Sequence, residues 1–302
     1  MHFGDRLIKK IRQVGNPLCI GLDPHLEKLP PLFQDGTMEA NDPRTAPAVA
    51  KFLTTIIDRI EQKVAIIKPQ AAFFEKMGWR GFKILDELTQ YARRRGILVL
   101  LDAKRGDIGS TAKAYSEAYL TDNSAIASDA LTVSPFLGRD TLKPYLEAAK
   151  TYHSGIFVLV KTSNPGSGDY QDLKIDGKPL YLHICETLKP LAAAILGPIT
   201  GWSSIGIVVG ATYPEQADNL RAALPNVPFL IPGYGAQGGH ADDAVRTFQS
   251  GPHGPEGGIV NSSRGILFPG NGWTDDPVTW ERAFDTGVDQ TVDSLKEALA
   301  RK

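Results

Sequence analysis

Short apolar runs rich in β-branched residues recur along the whole chain, and each is followed by a longer stretch with helical spacing. Strands are expected at Leu18–Asp23, Val64–Gln70, Ile97–Lys104, Ala130–Ser134, Gly155–Thr162, Ile205–Ala211, Pro228–Pro232 and Gly258–Ser262. Most lack the polar alternation of a half-solvated strand, so burial on both faces is expected. Helices are expected at Thr45–Gln62, Trp79–Arg95, Thr111–Asp122, Arg139–Tyr152, Leu180–Leu196, Glu215–Leu224, Ala241–Gln249 and Asp276–Ala300. A further short helix, Phe3–Gln13, precedes the first strand. Eight such units argue for parallel pairing through right-handed crossovers. Closure into a (β/α)8 TIM barrel uses every element in one α/β domain, residues 1–302. An open doubly wound sheet gives no reason to stop at eight, and no G-x-G-x-x-G follows the first strand.

Composition narrows the function classes. The 302 residues are 42% hydrophobic and 22% charged, an ordinary globular balance. With 33 basic and 34 acidic residues the net charge is −1, so no basic field is available for nucleic acid or an anionic membrane. The run Arg93-Arg94-Arg95 falls at the end of a predicted helix, where the helix dipole accounts for it. Cys19 and Cys185 have no zinc-like spacing and read as buried thiols in a reducing compartment. The six histidines show no paired ligand spacing; His25 and His240 read as loop residues, and no metal site is expected. Phe73-Phe74 reads as core. Neither a signal-peptide h-region nor a membrane-length apolar run is found, so a cytoplasmic location is expected.

In a barrel, polar residues at the ends of strands gather on one face, where active sites are built. Here those ends are Gly21-Leu22-Asp23-Pro24, Ile67-Lys68-Pro69-Gln70, Asp102-Ala103-Lys104 and Val133-Ser134-Pro135-Phe136. The long connections Pro24–Arg44 and Asn164–Pro179 rise from the same face. Alternation puts Asp102 and Lys104 on one side of their strand. Asp107 lies in the turn beyond, and can serve this mouth or that of a neighbouring subunit. An isolated D-x-K reads as a strand-end salt bridge. Lys68 on the adjacent strand changes that reading, because such an array desolvates badly unless a ligand uses it. Carboxylates beside each lysine hold it as an ammonium, which suits a proton donor rather than a Schiff-base nucleophile.

Two further loops suggest a phosphate grip. Ile231-Pro232-Gly233-Tyr234-Gly235-Ala236-Gln237-Gly238-Gly239 is a glycine-rich turn after the seventh strand, and Asn261-Ser262-Ser263-Arg264-Gly265 follows the eighth. Barrel enzymes often hold phosphate with these loops, through backbone N–H groups, and Arg264 adds a bidentate clamp. The plainer reading of the glycines is tight turns.

The pattern Asp102-Ala103-Lys104-Arg105-Gly106-Asp107-Ile108, with Thr111, resembles the D-x-K-x-x-D-I-x-x-T signature of orotidine 5′-phosphate decarboxylases. The resemblance extends through Gly21–Pro24, Ile67–Pro69, Val133–Phe136, Pro232–Gln237 and Ser263–Gly265, and the connection lengths are similar to the longer bacterial branch. It implies a homodimer of (β/α)8 barrels that converts orotidine 5′-phosphate to uridine 5′-phosphate with no metal or organic cofactor. By position it assigns Lys68, Asp102, Lys104 and Asp107 to the catalytic charge network, with Asp107 and Thr111 serving the partner subunit's site. It assigns Asp23 to the ribose, helped by Lys68 and Thr111. Ser134 falls to the pyrimidine edge, and Gln237, Ser263 and Arg264 to the phosphate. Ser263 departs from the pattern, since many relatives carry glycine there. Two alternatives stay open. One is a magnesium-dependent keto-sugar phosphate decarboxylase or synthase, whose metal-binding glutamate would stand where Lys68 does. The other is a barrel that binds a phosphate ligand without catalysis.

Overall fold

The computed structural model describes residues 1–234 and 239–302. Eight parallel strands close into a barrel: β1 (Leu18–Leu22), β2 (Ile66–Pro69), β3 (Leu98–Arg105), β4 (Ala130–Val133), β5 (Gly155–Lys161), β6 (Ile205–Val209), β7 (Phe229–Ile231) and β8 (Gly258–Ser262). Each strand pairs with its sequence neighbours, and β8 closes on β1 with Leu18 opposite Val260. Helices cover the outside, among them Thr45–Ile60, Gly78–Arg94, Gly109–Leu120 and Pro277–Ala300. The last is started by the Asp276 side chain, which accepts from the Thr279 N–H at 2.8 Å. No described helix is long and apolar enough to cross a membrane.

The expected elements are present, with one change of type. The helix expected over Ala241–Gln249 ends at Val245, and Gln249–Gly251 pairs instead as an antiparallel hairpin with Gly254–Glu256. Gly251 and Pro252 cannot continue a helix well. The hairpin is held by Glu256, which accepts two bonds from Arg12 at 2.8 Å each and one from the Trp202 indole at 3.0 Å.

The barrel interior and its outer layer are separate apolar clusters. Between sheet and helices packs a large cluster that includes Phe52, Trp280 and Phe284. Inside the barrel, Cys19, Ile66, Leu100, Phe157, Val208 and Ile259 meet Phe3, Leu7 and Ile8 of the N-terminal helix Phe3–Val14. That helix therefore plugs the end of the barrel opposite the strand C-termini. A glycine makes room for it, since a Cβ on Gly155 would lie 2.2 Å from the Phe3 ring, and Gly206 likewise makes room for Phe157 beside it, where a Cβ would lie 2.3 Å from that ring. Asp5 fastens the plug by accepting from the Thr200 N–H and hydroxyl, both at 2.7 Å.

Arg221 locks the same end. Its guanidinium is buried and donates to the carbonyls of Thr247, Leu224, Pro225, Val227 and Gly257. It lies 3.7 Å from the centre of the Phe229 ring. Burial without a carboxylate partner pulls its pKa down to about 9.

If the plug sets the packing of the barrel floor, Gly155→Ala should destabilise the protein by about 1–3 kcal/mol in urea unfolding. Adding Phe3→Leu to Gly155→Ala should recover part of that loss, whereas additive losses would show that the two residues do not compete for the same space.

Candidate active site

The ends of β2 and β3 bring three charges together. Lys68 and Asp102 are almost fully buried, 4% and 7% exposed. The Lys68 ammonium donates to Asp102 Oδ2 at 2.9 Å, and the Lys104 ammonium donates to Asp102 Oδ1 at 2.7 Å. Thr132 on β4 completes the set. Its hydroxyl donates to Asp102 Oδ1 at 2.8 Å and accepts from the Lys104 backbone N–H at 2.9 Å. Nothing in the run Ala130-Leu131-Thr132-Val133 had marked that threonine, because threonine is also an ordinary strand former.

The electrostatics follow from these contacts. Burial by itself disfavours the Lys68 ammonium, but the charges of Asp102 and Asp23 and the bond to Asp102 outweigh it, and its pKa is raised. Burial likewise disfavours the Asp102 carboxylate, yet Lys68 and Lys104 hold its pKa well below the usual range. Lys68 and Asp102 are therefore both ionised at neutral pH. Beneath them, burial pushes the Cys19 thiol up to about 12, so it stays neutral.

Convergence of Asp102 and Lys104 is not simple strand alternation. Lys104 has a left-handed backbone, φ +49°, and the β3–β4 ladder shifts register between Leu101 and Arg105. A non-glycine residue held there costs about 1–3 kcal/mol and persists only when its surroundings enforce it. Here the Thr132 hydroxyl on the Lys104 N–H does so, and the lysine side chain remains 46% exposed at the barrel mouth. Arg105 turns the other way, to Glu75 and the Tyr119 hydroxyl, and ties the end of the strand to the outer layer.

Beside the triad, Asp23 lies just past the end of β1. Its Oδ2 accepts from the Ser263 hydroxyl at 2.6 Å. Its Oδ1 is buried with no partner among the described residues, as is Asn261 Oδ1 on β8. A buried carboxylate oxygen with a free lone pair is a place for a ligand hydroxyl. Ser263, read from the sequence as a phosphate residue, thus has its hydroxyl turned to Asp23. Arg264 is exposed and opens the short helix Arg264–Leu267. Gln237 lies outside the described residues.

Three predicted residues stand apart from the triad within one chain. The carboxylate of Asp107 accepts from the Ile108 N–H at 2.7 Å, and Thr111 is exposed in the first turn of the helix Gly109–Leu120. Ser134 sits beside the β3 turn: its N–H donates to the Arg105 carbonyl at 2.8 Å, and its Cβ faces Gly106. Exposed apolar side chains flank this edge, with Ile108 61%, Phe136 88% and Leu137 50% exposed. The sequence reading also passed over Lys161, at the end of β5, whose side chain is fully buried against Asp172.

The chain is similar throughout to known proteins that carry this arrangement of elements. The family model described as "Orotidine 5'-phosphate decarboxylase / HUMPS family" matches residues 16–272. A relative named orotidine 5′-phosphate decarboxylase from Rhodopirellula baltica is 46% identical over 272 residues, 89% of this chain and 89% of that protein. One of the same name from Haloarcula marismortui is 40% identical over 306 residues, 99% of each chain. The solved structure of Leishmania donovani OMP decarboxylase superposes with a TM-score of 0.76 at 29% identity, covering 99% of this chain and 98% of that one. A barrel with a Lys-Asp-Lys cluster at its C-terminal mouth and matches of this extent leave one assignment: the chain belongs to the orotidine 5′-phosphate decarboxylase / HUMPS family.

Proposed function

We propose that this chain decarboxylates orotidine 5′-phosphate to uridine 5′-phosphate, the last step of de novo pyrimidine nucleotide synthesis in the cytoplasm, with no metal or organic cofactor. The observation that carries the reading is the ion array at the barrel mouth of a member of this family, with Lys68 and Asp102 buried and Lys104 reaching the opening. Breaking the bond between C6 and its carboxylate releases carbon dioxide and leaves the electron pair on a ring carbon with no adjacent sink. A protein without a cofactor must stabilise that pair electrostatically, a task on the order of 20 kcal/mol.

Lys104 suits the central role. Its ammonium is held by Asp102, its side chain reaches the open mouth, and it can stabilise the electron pair and then give C6 its proton. Asp102 lies where the substrate carboxylate would approach and keeps both lysines in place. Lys68, almost fully buried, holds Asp102 from the other side and shares the ribose with Asp23, whose Oδ1 accepts a hydroxyl. Arg264 and Gln237 grip the phosphate, and that remote binding energy orders the reacting end. An ammonium at the end of β2 favours this reading over the magnesium-dependent alternative, which needs a carboxylate there.

A homodimer would complete the site. Asp107 and Thr111 make no hydrogen bond to the triad of their own chain among the described residues, and they border an edge with exposed Ile108, Phe136 and Leu137. Apolar side chains exposed together mark a surface for association. Across a two-fold axis this edge supplies each mouth with one carboxylate and one hydroxyl from its neighbour.

Purified protein should consume orotidine 5′-phosphate, followed by ultraviolet absorbance, equally well with and without EDTA; loss of activity in the chelator would favour the metal-dependent alternative. Lys104→Ala should lower kcat by at least about 10²–10⁴-fold while uridine 5′-phosphate still binds, and unchanged turnover would remove Lys104 as proton donor. Mixing inactive Lys104→Ala with inactive Asp107→Ala should restore about one quarter of the wild-type rate, from the one intact site in each mixed dimer. No recovery would show that each subunit works with its own Asp107.

A further inference from the structure

The connection after β5 is stapled to the strand from which it rises. Lys161, the last residue of β5, is 0% exposed, and its ammonium donates to both Asp172 oxygens at 2.9 Å and to the Ser167 hydroxyl at 3.1 Å. It lies 4.4 Å from the centre of the Tyr213 ring. The next residue repeats the arrangement: Gln171 accepts from the Thr162 N–H at 2.9 Å and donates to its hydroxyl at 3.0 Å. Consecutive residues of the strand end thus grip consecutive residues of the loop. A buried ammonium needs such compensation, and a methionine of similar length would fill the space without it. Replacing such a pair by apolar groups of similar size is often neutral in stability, so its contribution here is to hold the connection in one arrangement.

What the staple fixes is Ser163. Its Cα would lie 2.7 Å from a Cβ on Gly210 at the end of β6, and its carbonyl accepts from the Thr212 hydroxyl at 3.4 Å. The order of strands around the barrel says what this wall faces. Under the functional reading above, the phosphate belongs to the loops after β7 and β8, the ribose to β1 and β2, and the reacting carbon to β3. The part of the base away from the sugar then extends toward β4, β5 and β6.

We infer that Lys161, through Asp172, is a positioning residue that sets the base-facing wall of the site by holding the β5 connection against β6. It touches neither the reacting atoms nor the phosphate, and it acts on affinity for the base. The inference rests on the reading of the chain as an orotidine 5′-phosphate decarboxylase, which turnover by the wild-type protein tests separately.

With wild-type turnover established, the test compares Lys161→Met and Asp172→Asn for binding of uridine 5′-phosphate and of ribose 5-phosphate, which lacks the base. Asp172 is partly exposed, so Asp172→Asn keeps the test available if the buried substitution impairs folding. Either variant should lose on the order of ten- to a hundredfold in affinity for uridine 5′-phosphate, with ribose 5-phosphate affinity within about twofold of wild type. The loss in kcat/KM should appear mainly in KM. Undiminished affinity for uridine 5′-phosphate in the folded variants, or equal losses for both ligands, would overturn the inference.

Discussion

The site depends on one carboxylate held between two ammonium groups. Asp102 is buried, and alone it would take up a proton; with Lys68 at 2.9 Å and Lys104 at 2.7 Å it stays charged. Each attraction is worth about 4 kcal/mol at 4 Å in an effective dielectric of 20, enough to offset much of the desolvation. The array then keeps both cations in place and ready for use. Its geometry comes from three neighbouring strands: Lys68 on β2, Asp102 and Lys104 on β3, and Thr132 on β4. Neighbouring parallel strands bring those three ends together, and the closed barrel puts dry walls behind them.

The two ends of the barrel divide the work. At the closed end, the N-terminal helix fills the floor beside Gly155, Asp5 fastens it to Thr200, and Arg221 gathers five backbone carbonyls. These contacts are apolar or fully satisfied, and they hold the strands in fixed register. At the open end lie the features that cost stability: the left-handed Lys104, the buried Asp23 oxygen without a partner among the described residues, and the exposed apolar edge at Phe136. A rigid floor allows that strain to be carried at the mouth.

Much of this was legible in the sequence, for identifiable reasons. Strands buried on both faces write themselves as continuous apolar runs, so all eight barrel strands could be placed, and their polar ends named Lys68, Asp102, Lys104 and Asp23. The details were decided by contacts far apart in sequence. Thr132 looks like any strand threonine until Asp102 is seen beside it. Lys161 looks like the end of an apolar run until the loop brings Asp172 back to it. Ser263 stood out as a departure near a phosphate loop, but only the approach of β1 to β8 shows its hydroxyl on Asp23. The hairpin at Gln249–Glu256 was missed because the helical spacing before it ran on past Val245, where the helix ends, and because the capture of Glu256 by Arg12 joins residues far apart in sequence.

The negative charge of Asp102, and not merely its shape, makes the array work. Asp102→Asn keeps the size and one acceptor oxygen while removing the charge and turning the other position into an N–H donor, and its single-turnover rate on orotidine 5′-phosphate can be measured beside its affinity for uridine 5′-phosphate. The rate should fall roughly a thousandfold or more, with the product, which has no carboxylate at C6, still bound. A single-turnover rate within about tenfold of wild type would contradict it.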